Sequence, residues 1–271
     1  MGLQDLHRVV SPLRPLVHYL DYGSRRRLAH AVNVADIRRC AQRRAHKMVF
    51  DYIDGGCDDE LTLQRSRSAY SELDLHYGVL SGHGSVDLST SLLGHELGLP
   101  FFPAPTAGQK MFHADGEAAA ATACAEHSML FCLSALGTTG LEEVAQVNAG
   151  PKCLQLYLWK DRAVVRDVLQ RAREAGFTTL ALTADTSWFG NRERDPRNGF
   201  TIPPSYSPQQ VYHGLLRPAW SLDVLSRPPV RFEVAAADAP AEALTTYFNE
   251  MISKDYSWQG APRLTTALPT T

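Results

Sequence analysis

Short apolar runs alternate along the middle of the chain with stretches in which apolar residues recur every three or four positions. The runs at 99–104, 129–133, 154–158 and 179–182 have the length and composition of buried strands. Between them, 116–127 (alanine-rich), 141–147 and 163–175 read as helices. The last of these places Val164, Val165, Val168, Leu169 and Ala172 at helical spacing. Each unit is about 25 residues, the size of a βα repeat with short loops. Successive units of this kind predict parallel strands joined by right-handed crossovers. Four strands do not close a barrel of eight, and no Gly-x-Gly-x-x-Gly follows the first strand. The pattern therefore leaves an α/β fold that is either an open sheet or half of a barrel.

Upstream, 33–49 has helical periodicity through Ala35, Ile37, Cys40, Ala41 and Ala45, with Asn33 as the expected N-cap. Gly55 and Gly56 break that pattern, and Asp58, Asp59 and Glu60 suit the start of another helix. Residues 1–30 define no element, and 70–98 read as extended pieces and turns.

The strand ends carry the candidate chemistry. Pro105, Thr106 and Ala107 follow the first run and Ser134 the second. The third holds Gln155 and Tyr157, and the fourth leads into Thr183 and Asp185. Hydroxyls, an amide and a carboxylate are costly at the end of a buried strand unless partnered. Their convergence on one edge is how a barrel active site is built. Each alone is an ordinary structural hydrogen-bonder; the set points to a site.

Composition changes this picture little. The 271 residues are 44% hydrophobic, enough for one sizeable core, and the net charge of −2 gives no bulk attraction to nucleic acid or anionic lipid. The exception is residues 1–32, a basic extension including Arg25, Arg26 and Arg27, readable as an exposed arm or an organelle transit segment. Location stays open between cytoplasm and mitochondrion. No run is long and apolar enough for a membrane span. Leu6 stands where myristoylation needs Ser or Thr. The five cysteines show no close pairing and are expected as free, mostly buried thiols. His113 and Asp115 lack a third metal ligand at useful spacing and read as a turn before a helix.

Several motifs occur together and in order: YIDGG from Tyr52, LLG from Leu92, APTAGQK from Ala104, HADGE from His113, LEEVA from Leu141, QLYLWKDR from Gln155, ALTADT from Ala181, and the segment 192–200. Together they resemble the FMN-dependent α-hydroxy-acid oxidoreductases, over residues 33 to 258. The resemblance implies a (β/α)8 barrel with FMN at its carboxyl-end face. Ala104, Pro105, Thr106, Ala107, Ser134, Gln155 and Thr183 would then hold the flavin ring. Tyr52 and Arg192 would grip the carboxylate of a small 2-hydroxy acid, and Tyr157 would bond its hydroxyl or keto oxygen. Asp185 would pair with the catalytic histidine. Leu136 stands where some relatives carry an aromatic, which leaves substrate size open.

The same resemblance implies a base histidine in an Asn-His-Gly-Gly-Arg-like segment, a lysine on the fifth strand, and a phosphate site on the last two. None of the ten histidines stands in such a context. The sequence is thus similar to the amino-terminal half of an enzyme, partial over 33–271, and little turnover is expected from it. A half-barrel with two unpaired edges is expected to self-associate. Residues 201–256 correspond to the long excursion after the fourth strand. Within it, 215–231 combines Leu215, Leu216, Trp220, Leu222, Val224 and Leu225 with Arg217, Arg227 and Arg231, a composition that suits either a membrane interface or a buried or disordered loop.

Overall fold

The computed structural model describes residues 3–76, 78–80, 82, 84–157, 159–185, 190–200 and 207–234. Three short helices, α1 (Leu3–Val10), α2 (Leu16–Leu20) and α3 (Tyr22–Ala29), precede α4 (Val34–Arg44), α5 (Lys47–Asp54) and α6 (Leu61–Ser68). An antiparallel hairpin follows, β1 (Thr90–Leu92) and β2 (His95–Leu97), turning at Leu93 and Gly94. Both turn residues have positive φ, the requirement of the tight hairpin turn that matches strand twist. Then come α7 (Gly116–Glu126), β3 (Phe131–Ser134), α8 (Leu141–Val147), β4 (Lys152–Tyr157), α9 (Arg162–Glu174) and β5 (Thr179–Thr183). Beyond the sheet lie α10 (Arg194–Arg197), α11 (Pro208–Leu215) and α12 (Pro218–Leu225).

Strands β3, β4 and β5 form one parallel sheet in that order, with Ser134 opposite Gln155 and Tyr157 opposite Thr183. Alternation along each strand separates two faces. Phe131, Leu133, Leu154, Leu156, Leu180 and Leu182 join the helical residues Ala121, Val144, Val165, Val168 and Leu169 in the main core. Burying each large side chain here contributes about 1.5–3 kcal/mol. Cys132, Cys153 and Ala181 point to the opposite face, where Leu97 of the hairpin covers them together with Leu130. The predicted helices and the last three strands agree with these elements to within about two residues at each end; Leu158 lies outside the described residues.

The first expected strand is not one. Residues 101–106 join no ladder, and Phe101 and Phe102 remain 59% and 39% exposed. Pro100, Pro103 and Pro105 explain this: three residues in six without an N–H cannot sustain a central strand. The helical stretch 33–49 is also interrupted. Asn33 does cap α4, accepting from the Asp36 N–H, but the backbone turns extended at Ala45. His46 then caps α5 through Nδ1, while its Nε2 donates to the Gln210 carbonyl at 2.9 Å. Burial lowers the His46 pKa and keeps the ring in that neutral form.

The basic amino-terminal stretch is docked. Asp21, 6% exposed, accepts from Arg44 Nε at 2.9 Å, and α2 lies against α12. The expected excursion 201–256 is described only over 207–234. There α11 carries a capping box between Ser207 and Gln210. Trp220, which a membrane seat would need exposed, packs on His46 and donates Nε1–H to the Met111 carbonyl at 3.0 Å, as the buried-loop alternative for this segment expects. All five cysteines are free, with Cys124, Cys132 and Cys153 buried, Cys40 half-buried and Cys57 exposed. Asp115 N–H bonds His113 Nδ1 just before α7, and among the described residues no group of three metal-ligating side chains exists.

One buried carboxylate ties the loops at the carboxyl edge together. Glu117, in the first turn of α7, is fully buried and accepts from the N–H groups of Gln109 and Thr138 and the hydroxyls of Thr138 and Thr139. Glu117→Ala would leave these donors unpaired, with an expected loss of about 3–5 kcal/mol. Glu117→Gln, which keeps one acceptor, should lose less. Urea unfolding midpoints measure both; a loss under about 1 kcal/mol for alanine would contradict this role.

Candidate functional site

A hydrogen-bonded row spans the carboxyl ends of β3, β4 and β5. The backbone N–H of Ala135 can only donate, so the Gln155 side-chain atom facing it at 3.2 Å is Oε1. Ser134 Oγ donates to the same oxygen at 3.2 Å and accepts from the Leu136 N–H. That orientation turns Gln155 Nε2 towards Thr183, whose Oγ1 accepts at 2.7 Å. Having accepted, Thr183 keeps its own proton to donate. Ser134 and Gln155 are 3% and 4% exposed and Thr183 half-buried, and the row's inner groups satisfy one another.

Tyr157, two residues beyond Gln155 and opposite Thr183, packs with Ala107 against Leu136 and Phe232. Its phenol pKa is raised by burial first, then by Tyr52 and Asp185, against an opposing hydrogen bond from Gln155, so the hydroxyl stays protonated. Tyr52 comes from α5 and meets the loop after β5. Its ring stacks on Phe200 at 4.5 Å, 12° from parallel, and the Arg192 guanidinium lies over it at 5.1 Å. Arg192 donates Nη2–H to the Tyr52 carbonyl and Nε–H to Asp195 at 2.8 Å. Burial also raises the Tyr52 pKa, opposed by Arg192 and reinforced by Asp195.

The structure therefore brings Ser134, Gln155 and Thr183 together, Tyr157 beside Ala107, and Tyr52 under Arg192. It does not join Ala104 or Pro105 to the row: both are exposed, and the Ala104 carbonyl accepts from the Thr106 hydroxyl. Ala104 and Thr106 line a cavity of about 480 Å³ with Phe50, Ile53, Phe112 and Phe131. Asp185 is exposed just past β5. Sequence reading missed Glu117, Asp195 and Phe232. An acid inside the alanine-rich GEAAAATACAE was the available signal for Glu117, and the three-residue spacing from Arg192 that for Asp195; Phe232 had none, because Leu136 lies far away in the chain.

A parallel βα array with its polar groups at the strand carboxyl ends is the layout of a barrel enzyme. The model of the FMN-dependent dehydrogenases matches residues 41–270, and the chain belongs to that family. It is 35% identical over 265 residues to a Mycobacterium tuberculosis protein provisionally named L-lactate dehydrogenase, covering 93% of this chain and 64% of that one. It is 40% identical over 177 residues to glycolate oxidase 1 of Zea mays, covering 65% of this chain and 48% of the relative. Among solved structures it resembles the monotopic membrane protein (S)-mandelate dehydrogenase, with a TM-score of 0.82 and 29% identity. That match covers 88% of this chain and 64% of the other. The chain thus spans about half to two-thirds of the length of these relatives, and its fold is part of a (β/α)8 barrel.

Proposed function

We propose that this chain supplies the ring-holding and carboxylate-gripping side of a site that oxidises a lactate- or glycolate-like L-2-hydroxy acid to the 2-keto acid. The carrying observation is the Ser134–Gln155–Thr183 row, at the strand ends beside Tyr157. What it turns outward, the Thr183 hydroxyl proton, fits a carbonyl acceptor on the polar edge of a flavin ring. The backbone of Ala104–Ala107 lies outside any ladder and adds the N–H groups of Thr106 and Ala107 on the flank, while the Ala104 and Thr106 carbonyls are already bonded by the Thr106 hydroxyl and Gln109. When bound, FMN supplies the two-electron acceptor for the hydride leaving the substrate C2.

The side chains divide the remaining work. Arg192 presents a planar guanidinium suited to a carboxylate, and its bond to Asp195 fixes the orientation of the fork. The Tyr52 hydroxyl is a second donor to the same carboxylate. Tyr157, held protonated by burial, hydrogen-bonds the substrate oxygen as it passes from hydroxyl to carbonyl. Asp185 would stabilise the imidazolium formed when a histidine base takes the hydroxyl proton. The 271 residues contain no histidine in the family's base context, so this chain alone should show little turnover.

Incubation with FMN followed by desalting tests the reading. A retained flavin band near the family's visible range, reduced by Gln155→Leu, is the expected outcome. Loss of all flavin from the unsubstituted chain would contradict it, and rapid lactate-dependent dye reduction would contradict the expected inactivity.

A membrane contact also finds support, in a form different from the one composition suggested. Among the described residues no helix is long and apolar enough to cross a membrane. With Trp220 turned inward, the exposed apolar surface is on α11 and its end: Val211, Tyr212, Leu215 and Leu216 are 50–74% exposed, next to Arg217. An apolar stripe flanked by arginine suits an interfacial seat. Leu215→Asp with Leu216→Asp should abolish co-sedimentation with anionic liposomes; unchanged binding would remove this surface from consideration.

Self-association as a non-catalytic half-barrel is the second reading. Among the described residues, neither β3 nor β5 has a further ladder partner on its outer side. Such edges recruit other strands. Size-exclusion with light scattering at low concentration should give a discrete dimer, and a strict monomer would exclude this reading.

A further inference from the structure

Residues 231–234 run back across the carboxyl-end loops as an extended strap with alternate residues turned inward: Arg231 and Glu233 are exposed, Phe232 and Val234 buried. Three anchors hold it. Val234 is wholly buried in the main core. The Glu233 N–H donates to the Gly137 carbonyl at 2.9 Å. Arg171, paired with Glu142, donates to the Val234 carbonyl at 3.3 Å. Gly137 makes the approach feasible, since a Cβ there would stand 3.1 Å from Val234 Cγ2 and 3.0 Å from Leu133 Cδ1. A strap fixed through the core is part of the wall, unlike a lid that swings.

Its one large side chain aimed at the site is Phe232, 6% exposed and packed on Leu136, with Ala107 and Tyr157 against the same cluster. These neighbours bracket the ring-holding stretch on one side and the substrate oxygen's partner on the other. We infer that Phe232, packed on Leu136, is a specificity-determining wall of the site: it limits the substituent on C2 of the acid to hydrogen or a short alkyl group and excludes an aryl group. The inference rests on the proposed reading of Tyr157 and Arg192 as the substrate grip. Its physical basis is volume, because a benzene ring already fills the space next to Tyr157 that a second ring would need. Truncating such a wall changes discrimination by about 10- to 200-fold per group removed or added.

The test uses two keto acids, pyruvate and phenylglyoxylate, titrated by calorimetry into the chain in the presence of FMN. Binding needs no turnover, so the missing base does not affect the readout. The unsubstituted chain should favour pyruvate, and Phe232→Ala should shift the ratio towards phenylglyoxylate by about tenfold or more. Phe232→Leu, which keeps the Val234 anchor and most of the packing, should fall between them and decides the matter if the alanine variant does not fold. An unchanged ratio with pyruvate binding intact overturns the wall. A gain in FMN affinity with equal effects on both keto acids also overturns it, since Phe232 would then stand in the ring's own place. If the unsubstituted chain binds pyruvate no better than a Arg192→Ala variant does, the site reading itself falls, and this inference with it.

Discussion

The Glu117 carboxylate is the constraint on which the carboxyl-end architecture depends. A wholly buried charge is unfavourable by several kcal/mol unless hydrogen bonds replace the water it has lost. Here the replacements come from two separate loops, 109–111 and 138–139, so neither loop can leave without stranding the charge. The same two loops are stitched again by the Gly108 N–H on the Leu136 carbonyl and the Lys110 N–H on the Thr138 hydroxyl. Ala107 and Leu136 sit next to these stitches. Their position beside Tyr157 is therefore a consequence of satisfying one acid in the first turn of α7, where the helix dipole also favours it.

The polar row follows from the sheet with equal economy. Parallel register sets Ser134 opposite Gln155, and the two-residue alternation that sends Leu133, Leu154 and Leu156 into the helices sends Ser134 and Gln155 to the other face. Once on that face, a carboxamide bonded by a backbone N–H has a single orientation open to it, and Thr183 on the next strand receives what remains. A row satisfied by its own members can be buried at low cost, and it presents Thr183's hydroxyl proton to whatever lies above. Each step is local; the site is their sum.

This accounts for how much the sequence revealed. The last three strands, their helices and the residues at the strand ends were legible because each depends on a periodicity or a boundary within a few positions. The motif resemblance supplied roles to those positions. Illegible features depend on distance along the chain: Asp195 reaches Arg192 locally, but its bearing on Tyr52 spans some 140 positions, and Phe232 meets Leu136 from nearly a hundred away. The misread strand at 99–104 was a different failure. Its apolar residues outweighed its prolines in the pattern, whereas in the fold a missing N–H decides ladder membership regardless of hydropathy.

The meeting of Tyr52 and Arg192 shows what bridges such distances. Helix α5 and the segment 190–200 are joined by polar contacts at several points. Asp54, its side chain 6% exposed, takes a paired bond from Arg38 and a 3.1 Å bond from Arg194. The Arg38 hydrogen bond is the leading cause of its lowered pKa. Asn198 donates to Asp51 at 2.6 Å, and Asp58 exchanges bonds with Asn191 through backbone and side chain. Isolated exposed ion pairs contribute little. A carboxylate as enclosed as Asp54 is different, because removing either arginine leaves a charge that water cannot fully reclaim. The clamp makes the aromatic stack of Tyr52 on Phe200 and the arginine above it a single rigid unit. The placement of Tyr52 and Arg192 is thus set largely by contacts around them, with three arginines, Arg38, Arg192 and Arg194, bonded to this one helix.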